Sequence, residues 1–182
     1  MQIIQQTSGL IQLFKQGKVF AYPTEAVFGL GCDPGNEEAV LRLLTIKQRP
    51  IEKGLILVAS DFSQVEKYLK PLTKSQQQFT KPSETSYIFP ALESAPAWLR
   101  GDFDSLAIRI SKQPIVRELC ESFGSALVST SANISGLTPA RTVKEVIAQL
   151  DNKIDAILEG EVGDLQNPTK IYDSLTGDVI RS

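Results

Sequence analysis

Five segments of the chain place apolar residues at the three- and four-residue spacing of an amphipathic helix. Residues that cap helices come before the apolar positions, and glycine or proline follows most of the segments. The sequence therefore predicts five helices, which run over Thr7–Gly17, Asn36–Lys47, Asp61–Leu69, Pro114–Phe123 and Thr142–Leu150. The last of them has a capping box, because Glu145 follows Thr142 at the required distance.

Short apolar runs lie between these segments and predict buried strands. The predicted strands are Val19–Tyr22, Leu55–Val58, Tyr87–Phe89, Leu106–Ile110, Ala126–Val128, Ala156–Leu158, Lys170–Tyr172 and Val179–Ile180. Thr24–Gly31 is interpreted as a connection that leads the chain back across after the strand Val19–Tyr22. Pro71–Glu84 is interpreted as a loop with one helical turn. Strands mixed with helices predict an α/β or α+β fold with a mixed sheet, and the length fits one domain over residues 1–182.

The chain contains no histidine. This absence excludes a Ser-His-Asp triad, a Cys-His dyad and a zinc site with histidine ligands. Acid–base chemistry must therefore use carboxylates, lysine, tyrosine, cysteine or the substrates themselves. Cys32 and Cys120 are distant in sequence and form no CxxC pair, so we expect free thiols in a reducing compartment.

The formal net charge is −2, and the first residues carry neither a charged leader nor a long apolar core. We therefore expect no signal peptide and no membrane-spanning helix, and we expect a cytoplasmic protein. The charge provides no general basic field for nucleic acid, although it is compatible with a local basic cleft.

Three cations, Lys47, Arg49 and Lys53, lie close together where the second predicted helix ends. In one interpretation they offset the dipole at the end of that helix. In the other they converge on phosphate groups, for which arginine supplies a planar guanidinium and lysine a compact charge. The sequence alone does not separate the two.

Small hydrogen-bonding side chains follow the predicted strand Ala126–Val128, from Ser129 to Asn133. A capped turn is one interpretation, since serine and asparagine bond readily to nearby backbone. The run has more polar side chains than a cap needs, and small residues let a ligand approach the backbone. We therefore favour a binding loop that begins at Ser129.

Arg109 lies inside the predicted strand Leu106–Ile110, on a different face from its isoleucine neighbours. An outward surface position is one interpretation. A charge on a half-buried strand needs a partner, so the other interpretation is that Arg109 binds a carboxylate ligand.

Several short motifs occur in order from about Val19 to Arg181. They are Tyr22–Glu25, Gly29–Gly31, the Lys-x-Arg-Pro of Lys47–Pro50, Lys53, the Ser-Leu-Ala-Ile-Arg of Ser105–Arg109, the Ser-Thr-Ser-Ala-Asn-x-Ser-Gly of Ser129–Gly136, Asn167–Thr169 and Val179–Arg181. In this order and spacing they resemble the YrdC-type (TsaC) threonylcarbamoyl-AMP synthases.

The resemblance implies a YrdC-like fold, in which a twisted mixed parallel and antiparallel sheet flanked by helices surrounds an open cleft. It also implies a reaction that converts L-threonine, bicarbonate and ATP to threonylcarbamoyl-adenylate and pyrophosphate. In this chemistry the amine of threonine captures bicarbonate or carbon dioxide, and the carbamate oxygen attacks the α-phosphorus of ATP. The family's product goes to a threonylcarbamoyl transferase complex that modifies the adenosine next to the tRNA anticodon.

The resemblance further implies that ATP is a substrate, that Mg²⁺ is bound through the nucleotide, and that the protein itself ligates no metal. Lys47 and Arg49 match the catalytic basic motif. The residues that match nucleotide-binding positions are Arg49, Lys53, Ser105, Asn133, Arg141 and Arg181. The residues that match threonine-binding positions are Thr24, Arg109, Ser131 and Thr169.

The sequence departs from the family pattern at three places. Ala26 stands where many relatives have a second threonine hydroxyl, and Thr169 stands where serine is usual. Lys81–Ser86 replaces a Trp-Pro-Gly-Pro-x-Thr motif, and we assign no role to that segment.

Two other functions compete with the synthase. The first is a non-catalytic maturation factor that binds tRNA or double-stranded RNA through the same basic concavity; the acidic pI of about 5.3 disfavours it. The second is a relative that acts on carbamoyl phosphate, whose extra domains and metal-finger cysteines do not occur in this sequence.

Overall fold

The computed structural model describes all residues, 1–182, and contains six α-helices. They are α1 (Ile11–Lys15), α2 (Glu37–Lys47), α3 (Ser63–Glu66), α4 (Ala97–Arg100), α5 (Pro114–Phe123) and α6 (Val143–Leu150). Predicted start signals explain three of them. Asn36 accepts a hydrogen bond from Ala39 N at the start of α2, and Thr142 and Glu145 form the predicted capping box of α6. Proline is the first residue of α5, where its missing N–H costs no helical bond.

Ten strands form one mixed sheet. They are β1 (Gln2–Ile4), β2 (Phe20–Pro23), β3 (Phe28–Gly31), β4 (Ile56–Ala59), β5 (Ser86–Pro90), β6 (Ser105–Ile110), β7 (Leu127–Ser131), β8 (Ala156–Leu158), β9 (Ile171–Asp173) and β10 (Val179–Arg181). Their order across the sheet is β1-β8-β2-β3-β7-β4-β6-β5-β9-β10. The pairs β1–β8, β2–β8, β4–β6 and β5–β9 are parallel, and the others are antiparallel. The predicted mixed α/β architecture is confirmed.

Helices cover both faces of the sheet, and alternate strand residues enter different cores. The larger core contains the apolar sides of α2 and α6, and the smaller core contains those of α1 and α5. On β7, Val128 points into the larger core, whereas Leu127 points into the smaller one. This alternation is what a two-residue side-chain period requires of a strand buried on both faces.

The strand β7 is longer than predicted. The sequence predicted a strand that ends at Val128 and a loop from Ser129, but the strand continues to Ser131. Ser129 pairs with Ile56 of β4, while Thr130 and Ser131 pair with β3. Neighbouring strands on both sides satisfy the backbone, which overrides the weak strand preference of serine.

Other predictions about local structure were also wrong. Thr7 does not cap the first helix; its hydroxyl bonds to Glu118 instead, and the segment Thr7–Leu10 is 3₁₀-helical. Helix α3 is only one turn, Ser63–Glu66, because the residues after it form turns, in which Tyr68 N donates to Val65 O and Leu69 N to Glu66 O. Thr24–Gly31 contains β3, which forms an antiparallel hairpin with β2.

Two glycines allow the connection between α2 and β4 to cross the end of α4. Gly54 and Gly101 both have positive φ, at 58° and 64°. A Cβ on Gly101 would lie 2.4 Å from Glu52 O, and one on Gly54 would lie 2.7 Å from Arg100 O. This close crossing fixes the backbone that carries Lys53, and Asp102 N donates to Glu52 O at 3.1 Å beside it.

We predict that Gly101→Ala lowers the free energy of unfolding by about 3 kcal/mol, from a left-handed conformation and a backbone collision together. Gly124→Ala is the control for positive φ without a collision: Gly124 lies in the αL region, at φ 66° and ψ 22°, whereas Gly101 has φ 64° and ψ −138°, and no atom lies within 4 Å of the added Cβ on Gly124. It should cost about 1 kcal/mol, the conformational part alone. Urea unfolding measures both values, and equal losses would contradict the crossing described here.

Candidate functional site

Lys47 connects its own motif, Lys47–Pro50, to the Ser129–Gly136 motif through direct hydrogen bonds. It is the last residue of α2, is only 2% exposed, and its ammonium lies against the chain that follows β7. Its Nζ donates to Ser131 O, to Asn133 O at 2.8 Å and to Asn133 Oδ1 at 3.3 Å. Burial first, and then the charge of Arg49, lowers the pKa of Lys47 to about 8. An ammonium has three donors, and all three are used on protein acceptors.

Arg49 leaves the helix in a different direction from Lys47. Between them, Gln48 adopts a left-handed conformation with a φ of 51°, which reverses the chain without a glycine. The Arg49 guanidinium donates from Nη2 to Gly54 O at 2.9 Å and to Lys53 O at 3.3 Å. Its Nε is buried without a partner, and burial lowers the pKa of Arg49. No carboxylate compensates this cation.

A cavity that opens to solvent, with about 720 Å³ of empty space including its open mouth, lies where β3 and β4 begin and β7 ends. We call it the polar cavity. Its lining is Thr24, Ala26, Val27, Gly29, Arg49, Leu55, Ile56, Arg109, Ser129, Thr130, Ser131, Pro168, Thr169 and Arg181. Hydroxyl groups and three guanidinium groups dominate this lining, and none of the lining residues is acidic.

A second cavity, with about 670 Å³ of empty space including its open mouth, continues from the first. We call it the apolar cavity. Its lining is Arg49, Lys53, Gly54, Leu55, Ile56, Ile88, Leu99, Arg100, Phe103, Ser105, Ala107, Ile171, Ile180 and Arg181. The two cavities share Arg49, Leu55, Ile56 and Arg181, so two cations stand at their junction.

Arg109 of β6 is held in place by two side chains, those of Glu25 and Thr169. It is 5% exposed, and its Nη2 lies 3.2 Å from Oε2 of Glu25, which is equally buried. The two charges pair by proximity, although the angle is too poor for a hydrogen bond. Nη1 donates to Thr169 Oγ1 at 3.0 Å, and that hydroxyl lies 3.4 Å from Ser86 Oγ. Arg109 is therefore a buried, paired cation and not an outward surface residue.

Arg181 reaches the junction from the edge strand β10. Its Nη2 donates to Thr169 O at 2.6 Å. Partial burial first, and then the charges of Arg109 and Arg49, lowers the pKa of Arg181. The mutual repulsion of three guanidinium groups makes the junction a favourable place for an anion.

The structure brings together most of the residues that the sequence singled out. Thr24, Arg109, Ser131 and Thr169 line the polar cavity, Lys53 and Ser105 line the apolar cavity, and Arg49 and Arg181 line both. Lys47, Asn133 and Arg141 line neither.

These three residues support the walls of the cavities from outside, through hydrogen bonds to neighbouring segments. We expected Lys47 to face phosphate groups beside Arg49. In the structure its ammonium instead donates to backbone and amide oxygens. Asn133 accepts from Lys47 and Ser131 through Oδ1 and donates to Leu137 O at 2.7 Å. Arg141 donates to Leu165 O at 3.2 Å and to Gln166 O at 3.4 Å.

Sequence reasoning missed Glu25 and Ser86. Glu25 follows Thr24 in the turn between β2 and β3, and an acid next to a motif residue was the available signal. Ser86 lies in the segment to which we assigned no role. It is fully buried and places its hydroxyl against Thr169 at the wall of the polar cavity.

The remaining reactive side chains are buried away from this chemistry. Burial raises the pKa of the Cys32 thiol, and it raises the pKa of Cys120 to about 12. Both thiols are free, as expected. The structure contains no helix with the length and apolar character needed to cross a bilayer.

Comparison with known proteins finds relatives that share this sequence pattern and this architecture. The Sua5/YciO/YrdC family model, described as telomere recombination, matches residues 12–182. A protein of Enterobacter sp. (strain 638) named threonylcarbamoyl-AMP synthase is 50% identical over 176 residues, which cover 94% of this chain and 92% of the relative. P. abyssi Sua5, crystallised with L-threonine, has a TM-score of 0.87 at 26% identity; the match covers 94% of this chain and 53% of that one. E. coli YciO shares the fold, with a TM-score of 0.83 at 24% identity over 100% of this chain and 94% of its own.

We predict that titration of Lys47 makes the free energy of unfolding increase with pH in the alkaline range. Its pKa is about 8 in the folded chain and 10.5 when unperturbed, so between these values the unfolded state binds more protons. The free energy of unfolding should therefore rise with pH in this range, by up to about 1.4 kcal/mol per pH unit. Lys47→Met lacks this titration and is the reference for other groups. Urea unfolding of both proteins from neutral pH upwards measures the difference; parallel curves would show that the ammonium is not destabilised by burial.

Proposed function

The chain belongs to the Sua5/YciO/YrdC family, and we propose that it is a threonylcarbamoyl-AMP synthase, which forms threonylcarbamoyl-adenylate and pyrophosphate from L-threonine, bicarbonate and ATP. One observation supports this most strongly. A cavity suited to an amino acid and a cavity suited to a nucleotide meet at Arg49 and Arg181. A reaction that joins an amino acid derivative to an adenylate needs that arrangement.

Threonine is assigned to the polar cavity. Arg109 is the partner for its carboxylate, since a guanidinium binds a carboxylate through paired hydrogen bonds. Only one of the five Arg109 donors makes a hydrogen bond, to Thr169 Oγ1, while Glu25 pairs with Nη2 by charge alone and Nε has no partner, which leaves donors free for a ligand. The hydroxyls of Thr24, Ser131 and Thr169 surround the remaining polar groups of the amino acid.

ATP is assigned to the apolar cavity. The base lies against the apolar wall, where Phe103 is 53% exposed and has a face available for stacking. Ser105 supplies a hydroxyl, and Lys53, Arg49 and Arg181 supply cations for the phosphates. Asn133 and Arg141 act on the nucleotide through the walls that they hold, and Lys47 is a positioning residue for the chain after β7.

The protein's contribution to the reaction is position and charge. The amine of threonine attacks the carbon of carbon dioxide, and a carbamate forms with loss of a proton; from bicarbonate the same carbamate forms with loss of water. A carbamate oxygen then bonds to the α-phosphorus, and the bond to pyrophosphate breaks. Arg49 and Arg181 stand at the junction where this charge develops, so they stabilise the transition state without a histidine base.

The setting of the reaction is part of the same proposal. ATP enters with Mg²⁺ as part of the substrate, and one domain of residues 1–182 does the chemistry in the cytoplasm. The product passes to a tRNA-modifying threonylcarbamoyl transferase complex. Contact with tRNA at the cleft would aid this transfer.

Pyrophosphate release tests the function directly. With ATP and bicarbonate present, release should depend on L-threonine when the partner proteins consume the product. A chain that releases none under these conditions is not a synthase. Salt-sensitive RNA binding that survives saturating ATP would instead support the maturation factor.

We predict that Arg49→Ala lowers the rate of threonine-dependent pyrophosphate release by roughly 100-fold or more, because it removes a charge-assisted contact at the junction. Arg49→Lys keeps the charge but loses the planar guanidinium, so its rate should fall between those of the wild type and the alanine variant. Arg42→Ala is the matched control, since Arg42 lies on α2 and pairs with Asp155 outside both cavities. A near-normal rate for Arg49→Ala would refute the assignment of Arg49 to the reacting phosphate.

A further inference from the structure

Glu25 is a buried carboxylate next to the polar cavity that does not line it. It is 5% exposed and lies in the turn between β2 and β3. The residues that line the polar cavity include no acid, so Glu25 acts on that cavity only through a neighbour. That neighbour is Arg109, whose Nη2 lies 3.2 Å from Glu25 Oε2.

The position of Glu25 is fixed from behind. Its Oε1 accepts a hydrogen bond of 2.6 Å from Ser111 Oγ, and the Ser111 hydroxyl accepts one of 3.0 Å from Gln113 N. The chain after β8 also packs against the turn that carries Glu25. A Cβ on Gly163 would lie 2.7 Å from Glu25 O, and Leu165 N donates to the same carbonyl at 3.1 Å. The carboxylate therefore cannot withdraw from Arg109 without moving two segments.

The position of Arg109 depends on this anchor. Arg49 and Arg181 also face the polar cavity, and neither has an acidic partner. Like charges in a partly dehydrated space repel, so Arg109 without a counter-charge would be pushed out of its orientation. Glu25 and Thr169 engage Nη2 and Nη1 of Arg109 respectively, and together they set the plane of its guanidinium.

We propose that Glu25 is a positioning residue, which holds the Arg109 guanidinium in the orientation that receives the carboxylate of threonine and restricts the uncompensated charge of the cavity to Arg49 and Arg181. This inference rests on the proposed function. It differs from direct recognition of the threonine ammonium by Glu25, which would require the carboxylate to reach the cavity.

A double-mutant cycle tests the proposal. Glu25→Gln should raise the KM for threonine about tenfold or more and leave the KM for ATP within about twofold, because it loses the charge that orients Arg109. In an Arg109→Gln background, Glu25→Gln should have no further effect on the KM for threonine, since the residue through which it acts is absent. The double variant also removes both buried charges together, which protects its folding.

Ser111→Ala keeps both charges and provides a second measurement if Glu25→Gln folds poorly. Loss of the 2.6 Å hydrogen bond should raise the KM for threonine about threefold, with the KM for ATP unchanged. Glu118→Gln is the matched control. Its carboxylate also accepts a hydrogen bond from a hydroxyl, that of Thr7, and it lines neither the polar nor the apolar cavity.

Three results would overturn the proposal. One is an effect of Glu25→Gln that persists in the Arg109→Gln background, which would mean direct contact with threonine. Another is an equal rise in both KM values, which would mean a general structural role. The last is an unchanged KM for threonine in both Glu25→Gln and Ser111→Ala. Wild-type release of pyrophosphate is measured first, so failure of the function and failure of this inference are separate outcomes.

Discussion

The hydrogen bonds made by the buried ammonium of Lys47 are the interactions on which the site depends. It ties the end of α2 to the chain after β7, through Ser131 O and both oxygens of Asn133. A second bond, from Ser135 N to Lys47 O at 2.9 Å, closes the same link. Because Arg49 follows Lys47 by only two positions, the link fixes the distance between this arginine and the hydroxyls of β7. A residue outside the cavity thus sets the dimensions of the cavity.

The site stores positive charge that the protein only partly neutralises. Arg109 has Glu25 as a partner, whereas Arg49 and Arg181 donate only to backbone carbonyls. Burial lowers the pKa of Arg49, and burial followed by the charges of Arg109 and Arg49 lowers the pKa of Arg181, so the environment disfavours both cations. An anionic ligand relieves both penalties. Fixed charges that are already in place before the reaction need little reorganisation during it.

Sequence reasoning predicted the fold class, most strands and the caps of α2 and α6, and most of the residues that it singled out line the two cavities, although Asn133 and Arg141 do not. These features depend on local pattern or on motifs of fixed order. It failed where pairing across the sheet decides the outcome. Ser129–Ser131 became strand because β3 and β4 lie on either side, and Lys47 turned away from the cavity because its ammonium donates to Ser131 O and to Asn133. The partnership of Glu25 and Arg109 joins residues far apart in sequence, and periodicity carries no information about it.

The walls of the polar cavity come from the whole length of the chain, from Thr24 to Arg181. No fragment of the sheet contains the site, so threonine and ATP bind only to the completely folded protein. Thermodynamic linkage then makes each substrate a stabiliser of all ten strands, by an amount that grows with the logarithm of its concentration. Saturating concentrations of both substrates should therefore protect the folded chain from proteolysis.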